Sequence, residues 1–344
     1  MRRRDFLTGA AGASLAPSML RGEAAPKFGI DLFSLRSQGW SPFEYLDYCS
    51  KWKAKVVHFS EIRFLGGLEE EHLKKVRAHA ERLGIELEIG MRSICPTSSA
   101  FDPKEGTAEE QIVRMCGAAQ ITGARFVRAF LGSMADRTGP VPIEGHIENT
   151  ARVLRAVRSR VLDAGVRIAV ENHAGDLQAR ELKALIEEAG KDFVGACIDS
   201  ANPLWTLEDP HLTLEVLHPY VLTSHLRDSA LWRIPEGVAV KWVRMGEGNV
   251  GLGDYVRRFL ELCPGKTLSL EVLVTQPRIY RYLDPKFWEG YRNVRAWEFA
   301  RFLALAEAGK PHAGLPPAPK EQAAERERED LEVSMRYCHD VLKI

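Results

Sequence analysis

The sequence predicts a (β/α)8 barrel of parallel strands followed by a C-terminal helical extension. Three observations lead there. From Lys27 onward, short runs rich in Val, Ile, Leu and Phe alternate with longer segments whose apolar residues recur at helical spacing, and counting gives eight such units. Four successive runs end in an acid or imidazole, Glu171, Asp199, His225 and Glu271, and a barrel gathers all such ends on one face. The first run ends Ser34-Leu-Arg-Ser-Gln-Gly39 without the G-x-G-x-x-G loop that a doubly wound open sheet usually places there.

In chain order, the strands are expected at Phe28 to Leu35, Lys55 to Ser60, Glu86 to Arg92, Phe126 to Phe130, Arg167 to His173, Gly195 to Asp199, Leu222 to Leu226 and Leu268 to Val274. Between them Glu69 to Leu83, Thr107 to Thr122, Ile147 to Ala164 and Ala179 to Ala189 each carry one apolar stripe, as helices leaning on a sheet do. Arg82-Leu-Gly84, Ile121-Thr-Gly123 and Asp163-Ala-Gly165 put a glycine at the helix-to-strand turn, where a left-handed residue ends the helix. The insertion Ser229 to Gly253 reads as a long loop, and Gly246-Glu-Gly-Asn-Val-Gly-Leu-Gly253 within it as a turn of close backbone approach, not a nucleotide cradle. The last barrel helix is expected at about Trp288 to Ala308. Gly309 to Pro319 is Pro-rich and reads as a stiff linker. A charged helix, Lys320 to about Val341, follows, with Leu331, Met335 and Leu342 available to dock on the barrel or on a partner. The expected division is a leader at 1–25, a catalytic barrel at 26–309, and a linker with C-terminal helix at 310–344.

Composition narrows the function. In 344 residues, 45% hydrophobic and 27% charged content exclude disorder as the dominant state. The 47 basic residues balance the 47 acidic ones, which leaves no bulk electrostatic footprint for nucleic acid or anionic membrane. Six cysteines, at 49, 95, 116, 197, 263 and 338, form no C-x-x-C pair and read as small buried hydrophobes.

Three carboxylates and one imidazole suit a hard or borderline divalent ion, because the oxygens offset its charge and a neutral imidazole adds a firm nitrogen bond. Taken singly, each residue has an ordinary explanation: a strand-end carboxylate caps the next helix, and a histidine is satisfied by packing. Four at the ends of four consecutive strands do not fit capping.

The segments Val170-Glu-Asn-His173, Ile198-Asp-Ser-Ala-Asn202, Ser224-His-Leu-Arg-Asp228, the Gly246-Glu-Gly248 turn and Leu270-Glu-Val272 resemble the xylose isomerase-like barrel superfamily. Within it, they resemble the sugar phosphate isomerase/epimerase group, over roughly residues 27–308. The resemblance implies one divalent ion on Glu171, Asp199, His225 and Glu271, manganese foremost, with cobalt, magnesium or zinc as alternatives. It also implies that Glu171 and Glu271 act as the acid/base pair. The chemistry agrees: a metal-polarised carbonyl acidifies the neighbouring C–H, one carboxylate removes the proton, and the other returns one.

Further residues are expected to line the sugar pocket. His173 and Arg227 share strand faces with Glu171 and His225; Glu61, Arg92 and Arg128 end strands two to four. Trp205, Trp232 and Trp242 lie in the loops after strands six and seven, where aromatic faces stack on sugars or simply fill the core. Asn202 stands where many relatives carry His or Asn, which leaves any third acid/base group open. Nothing resembles a phosphate clamp, so the expected substrate is a small-molecule carbohydrate without phosphate: a free sugar, keto-sugar or glycoside. The leading reading is a metal-dependent sugar isomerase or epimerase. The alternatives are a lyase that expels the glycosidic oxygen of a 3-keto-glycoside from the same site, and a non-catalytic sugar-binding barrel that keeps its metal. A related DNA-repair branch uses several zinc ions and more histidines than occur here. A homo-oligomer is left open.

The start of the chain, Met1-Arg-Arg-Arg-Asp-Phe-Leu-Thr8 and the small-residue stretch after it, resembles a twin-arginine export signal, with Arg3-Arg4-Asp5-Phe6-Leu7 matching R-R-x-F-L. The apolar stretch is far shorter than the roughly 20 residues that span a bilayer, so no stable membrane insertion is expected after cleavage near Ala24 or Ala25. A periplasmic or extracytoplasmic location follows from that resemblance.

Overall fold

The computed structural model describes residues 26–312 and 318–344; the expected leader and the middle of the Pro-rich linker lie outside these. Strands β1 (Lys27–Asp31), β2 (Val56–Phe59), β3 (Glu86–Ser93), β4 (Phe126–Phe130), β5 (Arg167–Glu171), β6 (Val194–Asp199) and β7 (Val221–Leu226) run parallel, each beside the next. After β7 the chain leaves the barrel as an antiparallel hairpin, β8 (Asp228–Ile234) and β9 (Gly237–Val243), and returns as β10 (Thr267–Leu270). Strand β10 pairs with both β7 and β1, Ile30 opposite Leu270, and so closes the eight-stranded barrel. A short strand, β11 (Arg278–Tyr280), adds to the free edge of β9.

All eight expected barrel strands are present, with differences at the ends. The first stops at Asp31 because the Asp31 carboxylate accepts the Phe33 N–H at 2.7 Å and caps a 3-10 turn over Leu32–Leu35. The last stops at Leu270, short of the expected Val274. The insertion read as a loop is the β8/β9 hairpin; Asp228 holds its exit turn by accepting the Gly246 and Gly248 N–H groups at 2.9 and 3.0 Å. A Cβ on Gly248 would stand 2.3 Å from the Ser229 carbonyl oxygen, so the close backbone approach read from the sequence is real. Helix Ala108–Thr122 starts at a Thr107 and Glu110 capping box, and Gly84, Gly123 and Gly165 take left-handed φ of 68°, 78° and 66° at their turns.

Along the barrel strands, Val57, Ile89, Val127, Val170 and Ile198 join the main apolar cluster between sheet and helices. The alternating residues His58, Glu88, Arg128, Glu171 and Asp199 belong to the opposite, interior face, where they contact one another. The interior of this barrel is therefore charged.

The expected final barrel helix divides into a 3-10 segment, Pro285–Gly290, and helix Ala296–Ala308, whose Phe302 and Ala306 pack under the hairpin with Leu231, Val238, Val240 and Tyr280. The C-terminal helix, Ala323–Tyr337, docks on the barrel: Leu331 and Met335 are fully buried in the main cluster. Glu332 accepts from Tyr48 on helix Pro42–Lys51, Asp330 pairs with Arg244 beyond the hairpin, and His339 meets the Phe28 ring of β1. All six cysteines are free and buried. Among the described residues no helix is long and apolar enough to cross a membrane.

Candidate metal centre

Barrel closure sets β5, β6, β7 and β10 side by side, and register aligns Asp199 with His225 and Glu171 with Cys197. The four residues expected to bind the ion therefore converge. One donor atom each from Glu171, Asp199, His225 and Glu271 lies within 4.8 Å of all the others. Asp199 and Glu171 are each held by further contacts. Asn172 ties two strand ends together, donating to the Asp199 carbonyl at 3.1 Å and accepting the Asp199 N–H at 2.9 Å. Asp199 Oδ1 accepts from the N–H groups of Ala201 and Asn202, which leaves Oδ2 for the cluster. Asn202 donates to Glu171 Oε1 at 3.1 Å, and Arg128 pairs with Glu171 Oε2.

These residues fit a divalent cation. His225 Nδ1 stands 3.1 Å from Glu271 Oε2 and 3.3 Å from Glu171 Oε2. Yet among the described residues neither His225 Nδ1 nor Glu271 Oε2 has a hydrogen-bond partner. Buried acceptors face one another across a gap that cation bonds of about 2.0–2.2 Å would fill.

The electrostatics agree. Burial resists ionisation of Glu171, but Arg128 and His225 hold its carboxyl well below the usual range. Burial likewise opposes ionisation of Glu271, and Arg227 and His225 overcome it, drawing its pKa to about 2. Asp199 goes the other way: burial, reinforced by Glu171 and Glu271, pushes it to about 7 despite Arg227. Burial alone would lower the His225 pKa, but Cys197, Glu171, Asp31 and Glu271 raise it well above normal. What draws a proton to this imidazole draws a metal cation to the same place.

A sequence-family model described as the xylose isomerase-like TIM barrel matches residues 46–284. The chain belongs to this family. Among curated relatives, 3-oxo-isoapionate decarboxylase of Pectobacterium atrosepticum is 23% identical over 55% of this chain and 61% of that protein. The chain spans less than two thirds of the length of the curated relatives it matches. Two solved structures share the fold. D-psicose 3-epimerase of Clostridium cellulolyticum, crystallised with D-tagatose, has a TM-score of 0.58 at 13% identity, covering 81% of this chain and 96% of that one. The 3-keto-D-glucoside 4-epimerase of Escherichia coli has 0.56 at 12%, covering 81% and 98%.

In this xylose isomerase-like barrel, the other expected residues sit at different distances from the cluster. Arg227 joins it: Nη1 lies 3.5 Å from both Asp199 Oδ2 and Glu271 Oε2, and the guanidinium stacks 3.7 Å from the Trp242 ring centroid. Trp205 stacks on Trp242 with centroids 4.1 Å apart. His173 stacks on Phe130, and its Nδ1 lies 2.9 Å from the Gly132 carbonyl. Glu61 stands outside the cluster, paired with Arg63 at the start of helix Ile62–Leu65. Arg92 is exposed at the bulge where β3 shifts register against β4. Trp232 packs with Ala230, Ala239 and Val243 on the hairpin face away from Trp242.

Three interior residues escaped the sequence reading. Asp31, His58 and Glu88 align across β1, β2 and β3 and lie against the His225 ring. His225 Nε2 is 3.0 Å from His58 Nδ1 and 3.1 Å from Asp31 Oδ2. His58 Nδ1 is 3.6 Å from Glu88 Oε2, which accepts from Thr223 at 2.8 Å. Burial, opposed in part by Asp31, lowers the His58 pKa to about 3 and keeps that ring neutral.

Proposed function

We propose that this barrel is a divalent-metal-dependent carbohydrate isomerase or epimerase that moves a proton at a carbon beside a carbonyl. The observation that carries this reading is the convergence of Glu171, Asp199, His225 and Glu271, with unpartnered donor atoms, at the ends of neighbouring strands. When bound, the ion would polarise the substrate carbonyl and acidify the neighbouring C–H. Asp199 and His225 anchor it. Glu171 and Glu271, both kept ionised by flanking cations, are assigned as the groups that take and return the proton. Arg227, its guanidinium held against the Trp242 and Trp205 stack, is assigned to hold the substrate beside Glu271. The two structural neighbours, both epimerases, support the reading.

A second reading, cleavage of a bond beside the same polarised carbonyl, is supported by the decarboxylase named among the curated relatives. One experiment separates the readings: metal-loaded protein with ketohexoses and 3-keto-glucosides in heavy water, followed by mass spectrometry. Deuterium at a carbon beside the carbonyl with the glycosidic bond intact is the expected result. Release of the aglycone would establish the lyase, and metal binding without exchange would leave a sugar-binding barrel. We further propose that the Arg3-Arg4 leader exports the folded protein, so Arg3→Lys with Arg4→Lys should retain it in the cytoplasm.

A further inference from the structure

Arg227 is almost wholly buried, and its two edges have different surroundings. Nη1 faces three acceptors: Asn202 Oδ1 at 3.4 Å, with Asp199 Oδ2 and Glu271 Oε2 at 3.5 Å. Among the described residues, Nε and Nη2 have no hydrogen-bond partner, although both are buried. These two nitrogens form one edge of the guanidinium and present two parallel N–H bonds. A buried, charged edge with two unmet donors is costly unless a ligand completes it.

The edge is also fixed in place. The Arg227 backbone is clamped by Ser200, whose hydroxyl oxygen lies 2.8 Å from both the Arg227 nitrogen and its carbonyl oxygen. At the other end, the guanidinium plane rests on Trp242, which rests on Trp205, which carries Arg278 4.3 Å from its centroid. Such stacking removes the rotamer freedom that a bidentate contact would otherwise have to freeze out.

We infer that the Nε and Nη2 edge of Arg227 is a carboxylate-binding subsite, and that the substrate is an aldonic or keto-aldonic acid. A neutral hydroxyl accepts through one oxygen and meets one of the two donors well. A carboxylate meets both at once, with charge assistance, and its spacing matches the fork. Because Nη1 contacts Asp199 and Glu271, the anionic group lies beside the reacting carbon, not at the far end of a long sugar. This inference deepens the isomerase or epimerase reading and rests on it for the position of that carbon.

The test measures binding of matched acid and polyol pairs to Mn2+-loaded protein by calorimetry: glycerate with glycerol, xylonate with xylitol, gluconate with glucitol. At least one acid should bind tenfold or more tightly than its polyol. In Arg227→Met that ratio should collapse toward one, and in Arg227→Lys, which keeps charge without the fork, it should fall between. Taking the ratio within each variant cancels any general loss of binding. Equal binding of acid and polyol by the unaltered protein overturns the inference. So does a preference that survives in Arg227→Met, which would put the carboxylate on the ion. Failure to bind Mn2+ at all would overturn the metal-dependent reading instead, and the ratio would then be read on ion-free protein, where an Arg227-dependent preference is still expected.

Discussion

Asp31 Oδ2 lies 3.1 Å from Nε2 of His225, on the side of the imidazole opposite the Nδ1 that faces Glu171 and Glu271. The two nitrogens of one ring are thereby divided between a carboxylate behind and the donor cluster in front. With Nδ1 given to a cation, the proton sits on Nε2 and points at His58 Nδ1 and Asp31, which fixes tautomer and ring orientation together. Asp31→Asn keeps the Oδ1 acceptor used by Phe33 and Ser60, but can set an NH2 against the Nε2 proton. We expect apo-protein titrated with Mn2+ or Zn2+ to bind roughly 10- to 100-fold more weakly in the variant. Unchanged affinity in a variant with a wild-type melt would remove Asp31 from this role.

Glu171 and Glu271 are the assigned proton carriers, and each sits against a different arginine, Arg128 and Arg227. Glu171→Gln and Glu271→Gln should each lower solvent-deuterium exchange per bound ion by about 10²- to 10⁴-fold, the usual contribution of a positioned acid or base. Metal content must be measured alongside, because both residues are also donors. Full exchange in either variant would refute its assignment.

The sequence made the front of this site legible and hid its back. Glu171, Asp199 and His225 sit at or next to strand ends that the apolar runs announce, and Glu271 immediately follows one. Asp31 is also a strand end, but apolar residues continue on both sides of it through Leu35, so the segment reads as one strand and the 3-10 turn that begins after Asp31 is hidden. His58 and Glu88 alternate with apolar neighbours, a pattern equally suited to a solvated sheet face. Only closure of the barrel turns that face inward. The hairpin was more accessible: Ala230 to Ile234 and Val238 to Val243 flank Pro235-Glu236-Gly237, a turn signal between two apolar runs.

The last helix shows what sequence order conceals. A Pro-rich segment separates it from the barrel, yet Leu331 and Met335 are as buried as any residue of the core. Leu331→Ala and Met335→Ala should therefore each cost about 2–5 kcal/mol in urea unfolding, as large-to-small changes in a packed core do. A cost below about 0.5 kcal/mol, typical of surface positions, would mean that the helix is an appendage.

Glu208 gives a pH dependence separable from the metal cluster. Its carboxylate accepts from Thr213 at 2.6 Å and from the Ala179 N–H at 3.0 Å, at the start of helix Ala179–Ala189. Burial dominates those hydrogen bonds and pushes its pKa from 4.5 to about 7. Because the folded state holds this proton more tightly than the unfolded chain, its stabilising effect is complete below about pH 4.5 and is lost as pH rises through about 7. The loss amounts to about 3 kcal/mol on the linkage scale of about 1.4 kcal/mol per pKa unit. In Glu208→Gln an amide oxygen in the Oε2 position still accepts from both the Thr213 hydroxyl and the Ala179 N–H. Urea unfolding between pH 4.5 and 8 should then show the variant gaining on the wild type by up to that amount. Glu88 and Asp228, which burial also raises, contribute with the same sign in both proteins and cancel in the difference. Parallel stability curves for the two proteins would mean that Glu208 is already ionised throughout the range.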